Sequence, residues 1–251
     1  MTSLKGKVAL VTGASSGNGQ GITRALVKHG MIVVGVARRL DRLEALAKEL
    51  KNEPGKFHYL QVDMLKEDQI LSAFQFIKKE FGALHVLVNN AGVARNTSLS
   101  DGDTKLWKEV LDTNILSLAI ATREAVRMME ETKVEGYIVH INSIFGLTVP
   151  YKVGKDLNMY ATSKYGVTAM TEALRLEILN KKLKIRVTSI CPGVVATELL
   201  QAAKMEKFGE QFKDNPILKT EDIAATVIFL ITLPGHVEIP SLTIRPLWEQ
   251  F

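Results

Sequence analysis

The chain has 251 residues, of which 32 are basic and 27 acidic, so its formal net charge is +5. A hydrophobic content of 46% beside 24% charged residues is typical of a folded domain and excludes a disordered chain. The single cysteine, Cys191, excludes a disulfide framework and a cysteine-based zinc site, and we expect no metal site.

Apolar runs long enough for targeting or membrane insertion are not evident. The stretch from Val8 to Val11 is too short for the apolar region of a signal peptide. The longest apolar run, Ile223 to Leu233, is far shorter than the roughly 20 residues of a bilayer span. We therefore expect a cytoplasmic protein without an integral membrane segment.

Short β-branched runs alternate with longer amphipathic segments along the chain. The predicted strands are Val8–Thr12, Ile32–Val36, Phe57–Val62, His85–Asn89, Tyr137–Asn142, Arg186–Cys191 and Leu242–Arg245. The predicted helices are 18–29, 40–51, 66–80, 104–131, 161–182 and 220–232. Strands that are apolar on both faces, connected by helices, favour a parallel sheet. The sequence predicts a single α/β domain over residues 1–251: a Rossmann-type, doubly wound, seven-stranded parallel sheet with helices on both faces.

A glycine-rich turn connects the first predicted strand to the first helix. Glycines allow a tight turn and a close approach to a pyrophosphate, whose charge is stabilised at the helix N-terminus. The strand–turn–helix context favours a dinucleotide site over an unliganded turn. The predicted phosphate-loop residues are Gly13, Ser15, Ser16, Gly17, Asn18 and Gly19.

Two arginines follow the second predicted strand. Selection of NAD usually places an acidic residue here, whereas Arg38 and Arg39 suit a 2′-phosphate. The arginines therefore predict NADP(H) as cofactor, and the alternative is a solvated basic turn.

Polar and small residues follow the third and fourth strands, at the sheet edge where open α/β folds bind ligands. Asp63 could accept a hydrogen bond from an adenine amino group. Helix caps or turns are the structural alternative for these positions. The cofactor residues predicted at this edge are Asp63, Met64, Asn90, Ala91 and Gly92.

A serine at the end of the fifth strand precedes a Tyr-x-x-x-Lys pair. Tyr160 and Lys164 lie four residues apart and so share one face of the predicted helix. A second pair with this spacing, Tyr151 and Lys155, lies between Pro150 and Gly154, where a helix is not expected.

Proton transfer at a carbonyl explains the residue types. Reduction by hydride needs a proton donor at the developing alkoxide, and the reverse oxidation needs a base. The pKa of a phenol, about 10, must fall by ~2–3 units for exchange near neutrality. A lysine cation about 4 Å away can supply ~4 kcal/mol toward that shift. Ser143 can donate to the substrate oxygen. The sequence predicts Tyr160 as acid/base, tuned by Lys164.

These motifs resemble the short-chain dehydrogenase/reductase family over essentially the whole chain. The matching motifs are Thr12-Gly13-x-x-x-Gly17-x-Gly19, Asn89-Asn90-Ala91-Gly92, Ser143, Tyr160-x-x-x-Lys164 and Pro192-Gly193. The resemblance implies that Tyr160 is the acid/base, that Ser143 polarises the substrate and that Lys164 tunes the tyrosine and binds the nicotinamide ribose. It also implies that Asn114 belongs to a proton relay. Residues implied to border the nicotinamide are Pro192, Gly193, Val195 and Thr197.

Within the family, the chain is similar to an insect branch called farnesol-dehydrogenase-like, whose members act on isoprenoid alcohols, keto-steroids or dicarbonyls. The residues of this narrower match are Ala37-Arg38-Arg39, Asn89 to Ala94, Thr122 to Ala125 and Ile244-Arg245-Pro246. The chain departs from the family at Asn18, where an aliphatic residue is usual. The spacing between Ser143 and Tyr160 is also slightly long.

Apolar residues near Ser143 predict a hydrophobic alcohol or ketone as substrate. The predicted substrate residues are Ser143, Phe145, Tyr151 and Val194, within walls that also include Ile144, Leu147, Val153, Leu157, Met159 and the segment 194–212 with Leu199, Leu200 and Met205. A farnesol-like alcohol is favoured, and a keto-steroid, ecdysteroid or dicarbonyl is the alternative. A different class is a non-catalytic cofactor-binding scaffold or sensor.

The positive charge does not predict a nucleic-acid partner. Its lysines and arginines are scattered, and no aromatic residues alternate with them. The family resemblance implies a homodimer or homotetramer, with the helices around 104–131 and 161–182 at the interfaces.

Overall fold

Seven parallel strands form one continuous sheet in the computed structural model, which describes residues 3–151, 156–203 and 216–249. The strands are β1 (Val8–Thr12), β2 (Ile32–Ala37), β3 (Lys56–Gln61), β4 (Val86–Asn89), β5 (Gly136–Ile141), β6 (Ile185–Pro192) and β7 (Ser241–Ile244). Their order is β3-β2-β1-β4-β5-β6-β7, and every neighbouring pair is parallel. The order reverses beside β1, which creates a crevice between β1 and β4 at the carboxyl ends of the strands.

Helices connect the strands. They are α1 (Gly17–Lys28), α2 (Leu40–Glu49), α3 (Glu67–Phe81), α4 (Thr104–Leu111), α5 (Ser117–Thr132), α6 (Asn158–Lys181), α7 (Leu199–Ala202) and α8 (Thr220–Thr232). In the described residues, none of these helices is both long and apolar enough to cross a bilayer.

Each face of the sheet carries its own hydrophobic core, because side chains alternate along every strand. Ala9 and Val11 of β1 belong to the core under α1, α2 and α8. Val8 and Leu10 belong to the core under α3, α5 and α6. Burial on both faces explains why the strands are almost wholly apolar.

The predicted doubly wound parallel sheet is confirmed, and every strand ends within one residue of its predicted limits. The helix expected over 104–131 is confirmed as a continuous helical segment, within which a π-helical turn, Asp112–Leu116, lies between α4 and α5. An apolar repeat does not reveal a π turn, because one extra residue shifts the helical face without changing the residue types.

Candidate active site

A cavity of about 360 Å³ lies at the carboxyl edge of the sheet. Its walls come from the loops after β1, β2, β3 and β4, from α6 and from the segment after β6. The predicted site residues that line it are Gly13, Ser15, Ser16, Gly17, Asn18, Arg38, Arg39, Asp63, Met64, Asn90, Ala91, Gly92, Tyr160, Lys164 and Thr197.

The predicted phosphate loop is held by close backbone packing. Gly13 (φ +69°) and Gly17 (φ +53°) adopt left-handed conformations that favour glycine. A Cβ on Gly19 would collide with the carbonyl oxygen of Gly13. The Asn90 amide donates to the carbonyl oxygen of Thr12 at 2.9 Å and so joins the loops after β1 and β4. These contacts leave the loop open toward the cavity at the start of α1.

The arginines after β2 lie at one end of the cavity. Arg39 donates to the hydroxyl groups of Ser15 and Ser16, and it forms a 3.0 Å ion pair with Glu198. Arg38 lines the same cavity, and its guanidinium has no hydrogen bond or ion pair within the part of the chain that the structure describes. Among the described residues, the segment after β2 therefore offers the cavity one engaged and one unpaired arginine.

The predicted acid/base group lies at the other end. Tyr160 and Lys164, in the first turns of α6, are only 7% and 6% exposed. The Lys164 ammonium lies 5.6 Å from the centre of the Tyr160 ring and donates to the carbonyl oxygen of Ile141. Ser143 forms a side-chain hydrogen bond with Tyr160, and Phe145 packs edge-on against the Tyr160 ring with centroids 5.7 Å apart.

Burial governs the protonation of this group. It raises the pKa of the Tyr160 phenol to about 12, against a smaller opposing effect of the Ser143 hydrogen bond. It lowers the pKa of the Lys164 ammonium to about 8. Desolvation is the largest cause of the raised pKa of Tyr160, and the tuning of the phenol by Lys164 stays a prediction. In the protein by itself, Tyr160 is a protonated donor.

Asn114 lies in the π turn between α4 and α5. Its amide nitrogen donates to the carbonyl oxygen of Val93 and to the Ser163 hydroxyl, each at 2.9 Å, and its oxygen accepts the Val93 N–H. The π turn thus directs Asn114 between the loop after β4 and α6. No direct hydrogen bond joins Asn114 to Lys164 among the described residues, and its role in a proton relay stays a prediction.

The residues after β3 and β6 occupy varied positions. The Asp63 carboxylate borders the cavity and accepts the Leu65 N–H at 3.1 Å. Gly193 donates to the carbonyl oxygen of Ile244, and Val194 donates to the Glu249 carboxylate. Of the predicted residues on this segment, which are Pro192, Gly193, Val194, Val195 and Thr197, the cavity wall includes Thr197. Contact of the others with a ligand stays a prediction.

The predicted substrate residues do not share one environment. Phe145 is buried beside Tyr160, whereas Tyr151 is 98% exposed and is not among the residues that line the cavity. Lys155 of the alternative Tyr-x-x-x-Lys pair lies outside the described residues. Val153, the segment 204–212 with Met205, and the side chain of Leu200 also lie outside the described part of the structure.

Two contacts were missed from the sequence. Glu198 lines the cavity and pairs with both Arg39 and Arg42. No motif pointed to them, because residues 39 and 198 are far apart in the chain and their pairing depends on two loops meeting.

The residues present fit a phosphorylated dinucleotide. The glycine loop faces the cavity, Arg38 is unpaired, and the buried Asn18 Oδ1 has no hydrogen-bond partner among the described residues. An acceptor buried without a partner is costly unless a ligand satisfies it.

A Rossmann-type sheet with this glycine loop and a Tyr-x-x-x-Lys pair at its crevice defines an oxidoreductase. The family model "short chain dehydrogenase" matches residues 7–207. The chain belongs to the short-chain dehydrogenase/reductase family, in its farnesol dehydrogenase-like branch.

Relatives are similar over nearly their full length. Farnesol dehydrogenase of Aedes aegypti is 43% identical over 250 residues, covering 98% of each chain. Dehydrogenase/reductase SDR family member 11 of Homo sapiens is 40% identical, covering 96% of this chain and 94% of the relative. Among solved structures, the closed form of serine dehydrogenase complexed with NADP+ superposes with a TM-score of 0.87 at 30% identity, covering 97% of this chain and 96% of that one.

Proposed function

We propose that the protein is an NADP(H)-dependent oxidoreductase acting on CH–OH groups, which interconverts an alcohol and a carbonyl on a hydrophobic substrate. A farnesol-like isoprenoid alcohol is the favoured substrate. The observation that carries the proposal is a single cavity that has Tyr160 and Lys164 at one end and Arg38 and Arg39 at the other. In this proposal, the substrate that receives the proton and the cofactor that carries the 2′-phosphate bind in the same cavity.

The side chains have separate tasks in the proposed reaction. The nicotinamide group, when bound, supplies the hydride in reduction and accepts it in oxidation. Tyr160 donates its phenolic proton to the carbonyl oxygen, for which its raised pKa keeps it protonated. Ser143 donates a second hydrogen bond to that oxygen as negative charge develops.

Lys164 assists through its charge. The ammonium is fixed by the Ile141 carbonyl, close to Tyr160. Alcohol oxidation needs a phenolate, so the cation and the charge of an oxidised nicotinamide must together lower the pKa of the phenol. The cofactor must therefore bind before Tyr160 can lose its proton.

Apolar groups around Tyr160 support a hydrophobic substrate. Ala94, Ile144, Phe145, Leu157 and Ala203 form a buried cluster with it. Leu147 and Val149, a few residues after Ser143 in the chain, are exposed apolar side chains. The name of one relative, farnesol dehydrogenase of Aedes aegypti, supports the same substrate class.

Keto-steroid or dicarbonyl reduction is the second candidate, since a fused-ring ketone also suits an apolar cleft. We further propose a cytoplasmic homodimer or homotetramer, by analogy with the family.

A steady-state panel tests the proposal. Farnesol with NADP, and keto-steroids and dicarbonyls with NADPH, are assayed beside the same substrates with NAD and NADH, with product identification. We expect NADP(H) to be preferred and an apolar substrate to be converted. Activity confined to sugars or charged metabolites contradicts the substrate class, and no activity with any substrate favours a scaffold or sensor. The variant Arg38→Ala separates the cofactor claim: equal use of NADH and NADPH before and after the change contradicts it.

A further inference from the structure

Glu198 forms an ion-pair cluster with two arginines of the β2–α2 segment. Its carboxylate accepts from Arg39 at 3.0 Å and from Arg42 at 2.8 Å through both oxygens. The three side chains are each about half exposed, and both Glu198 and Arg39 line the cavity. One carboxylate therefore neutralises charge at the end of the cavity that carries the arginines.

The strand order makes this cluster informative. β2 and β6 are four positions apart in the sheet, about 19 Å at the usual strand spacing. The segment that follows each strand must bend over the carboxyl edge of β1, β4 and β5 for Glu198 to reach Arg39. The ion pair thus crosses the crevice in which a dinucleotide would lie.

The Glu198 carboxylate binds these arginines through the same kind of interaction that a phosphate would use. Carboxylates and phosphates are both bound by guanidinium through charge-assisted, often bidentate hydrogen bonds. Arg39 also contacts Ser15 and Ser16 of the phosphate loop, so it lies between the cofactor cavity and Glu198. A 2′-phosphate that recruits Arg39 must compete with Glu198 for it.

We propose that Glu198 weakens the selection of the phosphorylated cofactor: it is an internal counter-anion for Arg39 and Arg42, which a phosphate on the adenosine ribose displaces. This inference rests on the proposed NADP(H) use. Displacement costs part of the binding energy of the phosphorylated cofactor and none of that of the unphosphorylated one. Glu198 therefore reduces the preference for NADP(H) that the arginines create.

Direct titration tests the proposal. NADPH and NADH are titrated against wild type, Glu198→Gln and Glu44→Gln, with nicotinamide fluorescence as the signal. Glu44 is an exposed acid on α2 and supplies the same change in net charge. We expect Glu198→Gln to tighten NADPH binding about three- to tenfold while NADH changes less than twofold, and Glu44→Gln to alter neither selectively.

Other outcomes contradict the proposal in distinct ways. If Glu198→Gln weakens NADPH binding or leaves it unchanged, the carboxylate does not compete with the phosphate. If Glu44→Gln produces the same selective gain, net charge rather than the ion-pair cluster is responsible. Arg39→Ala distinguishes failure of the proposed cofactor from failure of the inference about Glu198. If the preference for NADPH over NADH survives both Arg39→Ala and Arg38→Ala, the proposed cofactor itself is wrong. Loss of the preference with Arg39→Ala and no effect of Glu198→Gln overturns the inference alone.

Discussion

The Lys164 ammonium donates a hydrogen bond to the carbonyl oxygen of Ile141 at 2.9 Å. Ile141 is the last residue of β5, so the end of a strand fixes the cation in the crevice. Helical spacing places Lys164 on the same face of α6 as Tyr160, and the strand end then holds it 5.6 Å from the phenol ring. Within the part of the chain that the structure describes, the cation is therefore positioned by the backbone and not by an ion pair.

Removing this cation is expected to impair alcohol oxidation most near neutral pH. In Lys164→Met, kcat for oxidation should fall about 10²–10³-fold at pH 7, because the phenolate loses the charge that stabilises it. The defect should shrink at pH 10, because this pH lies above the pKa of about 8 of Lys164 and the wild-type side chain has then lost its charge as well. Lys182→Met, at the end of the same helix, is the control. Equal losses at both pH values would show that Lys164 does not act through its charge.

A buried histidine predicts how stability depends on pH. His140 bonds Thr171 at 2.9 Å and approaches Thr122 at 3.4 Å, and burial lowers its pKa to about 3. Below about pH 6.5 the unfolded chain binds a proton on this histidine, whereas the folded chain binds one only near pH 3. The free energy of unfolding therefore falls as the pH decreases from about 6.5 to about 3.

Urea denaturation at pH 7.5 and 5.5 measures this effect. Wild type should lose about 1 kcal/mol more of its unfolding free energy than His140→Asn over this interval. His29→Asn, an exposed position, should behave like wild type. A parallel loss in wild type and His140→Asn would mean that His140 becomes protonated without unfolding.

The close approach at the phosphate loop predicts a severe effect of one added methyl group. In Gly19→Ala, the new Cβ meets the Gly13 carbonyl oxygen and the Asn90 amide, both fixed by hydrogen bonds. We expect a loss of about 2–4 kcal/mol in unfolding free energy and loss of NADPH binding. Gly235→Ala has only a flexible Glu135 side chain nearby and should cost less than about 1 kcal/mol. Comparable melting curves for the two variants would refute the packing argument.

The unpartnered oxygen of Asn18 predicts opposite effects on the free and bound protein. In Asn18→Leu, the ligand-free protein should gain about 1 kcal/mol, since a buried acceptor without a partner is removed. The rise in melting temperature on addition of NADPH should be smaller than in wild type if the ligand satisfies this oxygen. Thermal unfolding with and without NADPH measures both, and a ligand-free variant less stable than wild type would contradict the first.

The sequence predicts the sheet well because each strand is a short apolar run buried on both faces. Val8–Thr12 has its predicted limits, and the edge strand Ser241–Ile244 is displaced by one residue. Tyr160 and Lys164 were predictable because helical spacing and a preceding strand-end serine place them together. Local patterns carry these features.

Three features could not be predicted from local patterns in the sequence. The π turn at Asp112–Leu116 contains the same residue types as an ordinary α-helical turn, so the sequence does not reveal it. The contact of Glu198 with Arg39 depends on two loops meeting over the sheet. The raised pKa of Tyr160 results from burial, which a motif does not report.

Binding and turnover measured together in Tyr160→Phe test the account most directly. Phenylalanine keeps the ring and its contact with Phe145 but removes the proton that the reaction transfers. With NADPH and a substrate accepted by wild type, we predict that kcat falls by at least about 10³-fold while the dissociation constant of NADPH stays within about threefold. Turnover within tenfold of wild type, with NADPH bound normally, would contradict the assignment of Tyr160 as the acid/base.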